Sequence, residues 1–121
     1  MILITGGSYQ GKLEYARRRF GLTDADICVG GVDAAKRCLA YVDRYALECV
    51  KNGEEPAAVF RADPAAWRDK IIITTDISGG VVPMEPELRA WREACGRMNS
   101  CLAAQADEVW RLFCGIPQRL K

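Results

Sequence analysis

The chain contains no histidine. Without an imidazole there is no histidine base, no histidine nucleophile and no histidine metal ligand, which removes a large class of enzyme mechanisms. Its six cysteines, at 28, 38, 49, 95, 101 and 114, form no CxxC pair. A zinc centre would need four thiolates converging from distant points of the chain, so neither zinc nor haem is expected. Disulfides are not expected either, because the start, MILITGG, lacks the basic region and small-residue cleavage site of a secretory leader. The thiols read as reduced, mostly buried apolar residues of a cytoplasmic protein. No apolar run is long enough to span a bilayer. Charge of one sign is also missing: 17 basic and 16 acidic residues leave a formal charge of +1, which gives no broad attraction to nucleic acid or membrane.

What is present is ordinary in bulk. The 121 residues, half of them apolar, suffice for one domain, residues 1–121, with a real core. Met1 to Thr5 is a short apolar run entering Gly6-Gly7, as a buried strand does before a tight turn. In 12–20, Leu13, Ala16 and Phe20 recur at helical spacing, Arg17, Arg18 and Arg19 lie mostly outside, and Gly21 is a stop. A second apolar segment, Asp26 to Val29, closes at Gly30-Gly31. Asp33 then caps a predicted helix whose apolar face runs through Ala35, Cys38, Leu39, Val42, Tyr45, Ala46, Cys49 and Val50, ending at Asn52-Gly53. The mixed stretch 54–69 holds a short helix around Ala65 to Trp67.

Lys70 to Thr75 is β-branched and reads as a central strand. The loop SGGVVP follows, and Pro86 suits the first turn of a second long helix with Leu88, Trp91, Cys95, Met98 and Leu102 inward. Glu108 to Cys114 is a last strand, ended by GIP. At most four strands alternating with four helices predict a small, mostly parallel sheet in a three-layer α/β/α arrangement.

One stretch carries chemistry. GGSYQGKL, residues 6–13, lies between a predicted strand and a predicted helix and nearly matches G-x-x-x-x-G-K-[ST]. In that pattern glycines let successive N–H groups curl around phosphate oxygens, the helix dipole adds to them, the lysine reaches the outer phosphates and the hydroxyl ligates magnesium. Gly6, Gly11 and Lys12 are in place, while Leu13 offers no oxygen. The alternative is a bare strand-to-helix turn with Lys12 solvated.

Three further segments occur in a telling order: IIITTDISGGVVP, REACGRMN and LAAQADEVWRLFCGIPQRLK. With the front of the chain they resemble the bifunctional adenosylcobinamide kinase / adenosylcobinamide-phosphate guanylyltransferase family of cobalamin biosynthesis. Gly80, Val81, Val82 and Pro83 stand at its SNEVGxGIVP loop, and Arg92, Gly96, Arg97, Asn99, Leu102 and Ala103 at its RDxxGRxNQxLA helix. Ala106 to Val109, Gly115 to Pro117 and Leu120-Lys121 stand at its ADEV and GIPxxLK ends. The resemblance implies a P-loop α/β fold, truncated relative to the family. It also implies ATP or GTP with magnesium, phosphorylation of a corrinoid alcohol, GMP transfer through a guanylylated histidine, and a homotrimer.

The departures shape the expectation. The family loop reads GGxRSGKS, where this chain has Tyr9, Gln10 and Leu13; Thr75, Asp76, Ser78 and Ser100 also replace family residues. Gly30 stands where an acidic Walker-B-type residue is expected, with Asp33 three residues later. The histidine and the middle part that carries it in the family are missing. The resemblance thus implies a cobalamin-related nucleotide-binding protein with weak or no catalysis. Gly6, Gly7, Ser8, Tyr9, Gln10, Gly11, Lys12 and Leu13 would hold phosphate, with Lys12 catalytic if the protein is active and magnesium weakened by Leu13. Asp76 or Asp33 would support a metal, and Arg92 and Arg97 would contact substrate unless they form a solvated or salt-bridged helix face. An active shortened kinase and a purely structural subunit are the alternatives. Expected partners are a weakly held nucleotide, a corrinoid, and either further copies of the chain or a full-length relative.

Overall fold

Three consecutive isoleucines have no polar face to turn toward water, so such a strand is stable only where both faces are covered. Ile71–Ile73 forms β4 in the middle of a six-stranded sheet whose order is β2 (Ile27–Val29), β3 (Cys38–Ala40), β4, β1 (Ile2–Gly6), β5 (Glu108–Phe113) and β6 (Ile116–Arg119). The structure, a computed structural model, describes residues 1–121. β1 lies parallel between β4 and β5, with Ile2 opposite Ile71 and Glu108, and Ile4 opposite Ile73 and Trp110. β2 and β3 continue the parallel sheet, and β6 closes the other edge antiparallel to β5.

Strand side chains alternate faces, and the two faces collect different helices. On one side Ile4, Ile71, Ile73 and Leu112 pack with Ala16 of α1 (Lys12–Phe20). On the other, Leu3, Leu39, Ile72 and Val109 pack with α2 (Val42–Lys51), α3 (Ala58–Ala62) and α4 (Pro86–Gln105). The three-layer α/β/α expectation therefore holds. Met98 and Leu102 of α4 are completely buried, and each such side chain contributes roughly 1.5–3 kcal/mol by leaving water. No helix is long and apolar enough to cross a membrane.

β1, α1, β4 and α4 fall where the sequence places them. The long helix expected after Asp33 does not: its first half contains β3, and α2 starts only at Val42. Cys38, Leu39 and Ala40 are all buried, and a three-residue strand covered on both faces looks like part of a helical stripe when read by spacing alone. Asp33 caps no helix; its Oδ1 accepts from the Ala35 N–H at 2.9 Å in the turn before β3. There are six strands rather than at most four, because Cys38–Ala40 forms β3 and GIP continues into β6. A two-residue turn, Cys114-Gly115, with φ of 51° and 75°, reverses the chain as a type I′ hairpin. Pro117 is tolerated because β6 is an edge strand. The helix around 65–67 is a 3₁₀ turn, Pro64–Trp67, and α3 precedes it unpredicted. All six cysteines are free; Cys38, Cys49 and Cys95 are buried, Cys28 and Cys101 partly so, and Cys114 is exposed rather than in the core.

Candidate functional site

β1 leads to a helix on one face of the sheet, while β3 and β4 lead to helices on the other. That divergence opens a crevice at the carboxyl ends of the strands, where open α/β sheets bind ligands. β1 ends at Gly6, and any Cβ there would lie 2.6 Å from the Leu112 carbonyl oxygen, so only glycine lets the loop leave the sheet beside β5. Gly11 enters α1 with φ 83°, and no side chain caps the helix. The N–H groups of Ser8, Tyr9, Gly11, Lys12 and Leu13 accordingly donate to no protein acceptor. Uncapped amides at a helix start are an electropositive concavity suited to an anion. The side chain of Tyr9 is fully exposed, and Leu13 packs toward the α1-side core. Neither fills the adjoining cleft of about 580 Å³.

Lys12 is almost wholly buried, and its Nζ donates to the Gly7 carbonyl at 2.6 Å. Burial pushes its pKa down, while the nearby Asp43 carboxylate works in the opposite direction. Asp43, in the first turn of α2, is buried as well; its Oδ1 accepts from the Thr75 N–H at 2.9 Å and its backbone carbonyl accepts from Trp91 Nε1 at 2.7 Å. These bonds tie α2 to the end of β4 and to α4. Asp43 is the acidic side chain the sequence reading missed, because the expected long helix hid it as one more polar position. Its signal is positional: it follows a strand by three residues, and that strand was not recognised.

The structure gathers Ser8, Tyr9, Gln10, Gly11, Lys12 and Leu13 in one cleft with Tyr41, Asp43, Arg44, Thr75, Ile77 and Trp91. Trp91 thus serves the cleft wall as well as the helix stripe. Gln10 ties the loop to the β5–β6 hairpin: its Oε1 accepts from the Cys114 N–H at 2.6 Å and its carbonyl from Gly115 at 3.0 Å.

The other expected site residues lie elsewhere. The Asp76 N–H donates to the Gly6 carbonyl at 2.8 Å, but its carboxylate accepts from the Ser78 hydroxyl at 2.5 Å and the Ser78 N–H at 2.9 Å. Those bonds hold the Asp76 carboxyl below its ordinary range. It lines a separate cavity of about 260 Å³ with Arg92 and Asn99. Arg92 donates to the Ser78 and Val81 carbonyls, and Asn99 Oδ1 accepts from the Thr74 hydroxyl at 2.9 Å. Arg97 forms an ion pair with Glu55 at 3.0 Å, and Asp33 lies in the β2–β3 connection, outside both cavities. Asp107 and Glu108 are paired carboxylates, with the Met1 amino group and with Arg19 respectively.

No group of three or more side chains is placed to hold a metal ion. A hard divalent cation at the cleft would find one buried carboxylate, Asp43, and would need phosphate and water oxygens for the rest.

The family model described as cobinamide kinase / cobinamide phosphate guanyltransferase (CobU) matches residues 37–120, from just before β3 to the end of the hairpin. The chain belongs to this family. Among curated proteins it is similar to the bifunctional adenosylcobalamin biosynthesis protein CobU of Salmonella typhimurium (strain LT2), 39% identical over 51 residues. It is likewise similar to the protein of the same name from Escherichia coli (strain K12), 37% identical over 51 residues. Each match covers 42% of this chain and 28% of the relative. The CobU match begins after the glycine loop and α1, so a phosphate-binding role for the loop rests on its own geometry.

Proposed function

We propose that this protein is a nucleotide-binding member of the cobinamide kinase family, working in cobalamin biosynthesis, whose glycine loop receives the outer phosphates of ATP or GTP. One observation carries the reading: a buried lysine and a set of unpartnered amides open onto the same cleft. The Lys12 ammonium is held by the Gly7 carbonyl at 2.6 Å. A phosphate oxygen in the loop would offer it a charge-assisted bond in place of that neutral one. The amides at the mouth of α1 would share the remaining charge.

We infer that catalysis is weak or absent. Magnesium, when bound, would neutralise charge on the phosphates; Asp43 is the residue that would hold it, and Leu13 gives no second oxygen. GMP transfer through a histidine is excluded for these residues, since there is none. A second reading, a shortened kinase acting on a corrinoid alcohol, is favoured by Asp43, which supplies a buried acid at the cleft despite Gly30. Assembly with further copies is supported by Phe113, Ile116 and Leu120, which leave an apolar surface on the hairpin open to water.

Calorimetric titration with ATP and GTP, with and without magnesium, tests the reading. Saturable heat is expected, and its absence at millimolar nucleotide would remove it. ADP release that requires a cobinamide acceptor would favour the kinase over the non-catalytic form.

A further inference from the structure

The three arginines of α4 are engaged. Arg89 donates to the carbonyls of Pro83 and Met84, Arg92 to those of Ser78 and Val81, and Arg97 to Glu55. Arg44 differs. It lies in the first turn of α2 and lines the glycine-loop cleft, yet its guanidinium takes part in no ion pair or hydrogen bond with the protein.

It is nevertheless held. The guanidinium carbon stands 4.8 Å from the centroid of the Tyr41 ring. Its aliphatic stem runs beside Gly30, close enough that a Cβ there would meet Arg44 Cδ at 3.5 Å. Lys12 Nζ is 5.9 Å from the same Tyr41 centroid, so a single ring stands by both cations. Tyr41 itself has φ 59°, a left-handed conformation uncommon for a bulky residue, and such strain gathers at functional sites. Stacking fixes a guanidinium while leaving its planar fork of donors available, which is the arrangement that phosphate recognition uses.

We propose that Arg44, positioned by Tyr41, is a second anion-binding group of the cleft, contacting the outer phosphates of the nucleotide from the α2 side while Lys12 and the loop amides contact them from the α1 side. This rests on the nucleotide-binding reading and adds a residue that the glycine-loop pattern does not contain. Two carboxylates, Glu14 and Asp43, also line the cleft. Neither is paired with Arg44, so its charge remains available to a ligand.

The test is titration of the 121-residue protein and its variants with ATP, GTP, inorganic pyrophosphate and the phosphate-free nucleosides. Arg44→Gln is expected to weaken ATP, GTP and pyrophosphate by about 10-fold or more, the loss of one charge-assisted contact. Arg44→Lys should recover only part of that, since a point charge lacks the fork. Tyr41→Leu should give a smaller loss in the same three ligands. Nucleoside binding and the thermal midpoint of Arg44→Gln should stay at the wild-type values, which separates phosphate contact from a merely structural role. If Arg44→Gln binds all three phosphate ligands as the wild type does while Lys12→Ala does not, Arg44 is only a solvated cation and the proposal is overturned, with the nucleotide reading intact. An equal loss for nucleosides would place Arg44 on the base and also overturn it. If the wild-type protein binds none of the ligands, the nucleotide reading fails and this proposal with it.

Discussion

Two cavities lie at the carboxyl ends of the central strands, and they treat charge in opposite ways. In the smaller one, Asp76 is occupied by both donors of Ser78, and Arg92 by two loop carbonyls. In the larger one, Lys12 is held by a single carbonyl, Arg44 by an aromatic ring, and several loop amides by nothing in the protein. Both contain an aspartate and an arginine, so residue type alone does not distinguish them. The difference lies in whether the polar groups have already found partners. A satisfied cluster holds a loop in place, whereas an unsatisfied one is stable only beside water or a ligand.

The strongest challenge to this contrast is Lys12→Ala. Nucleotide affinity should fall about 100-fold, through loss of a charged contact in a partly dry site, as calorimetry would read. Asp43→Asn comes next. Its amide oxygen can still accept from Thr75, so the fold should persist, while the magnesium-dependent part of binding should drop about 10-fold. Titrations with magnesium and with a chelator separate that part from the rest.

Arg92→Ala should behave in the reverse manner. It removes bonds to two carbonyls and should cost roughly 1–2 kcal/mol of stability in urea unfolding, with nucleotide affinity unaltered. A comparable loss of affinity would mean that the two cavities work as one.

A smaller effect concerns pH. Burial lowers the Lys12 pKa, so the folded protein gives up this proton before the unfolded chain does. Between the two values the unfolded state binds more protons, and this residue's contribution to stability rises with pH. Phosphate affinity should move the other way, declining as Lys12 loses its charge at a lower pH than an exposed lysine would. Titrations at stepped alkaline pH check the direction, and Lys12→Arg should remove the decline. The smallest change is Leu13→Ser, expected to tighten magnesium-dependent binding about 3-fold by restoring a hydroxyl. Unchanged affinity would show that the loop does not wrap a metal-bound phosphate.

Some of this was legible in the residue order. Ile71–Ile73 could only be an inner strand, and the Pro86 helix carried its stripe through Cys95, Met98 and Leu102. Gly6, Gly11 and Lys12 marked the loop because their spacing mirrors what an anion requires. Cys38–Ala40 was not legible, since three buried residues followed by an amphipathic helix continue its spacing. Asp43 and Arg44 were lost with that strand. Once a helix is assumed to run from Ala35 to Val50, nothing singles out its middle as the start of a helix facing the loop.

Composition and spacing alone ruled out histidine chemistry, placed a glycine loop between strand and helix, and specified an α/β protein, because these depend on residue identity and local period. Which acid and which arginine face that loop was decided only by tertiary structure. Their position depends on β3 settling between β2 and β4, a pairing between segments far apart in the chain that no local pattern encodes.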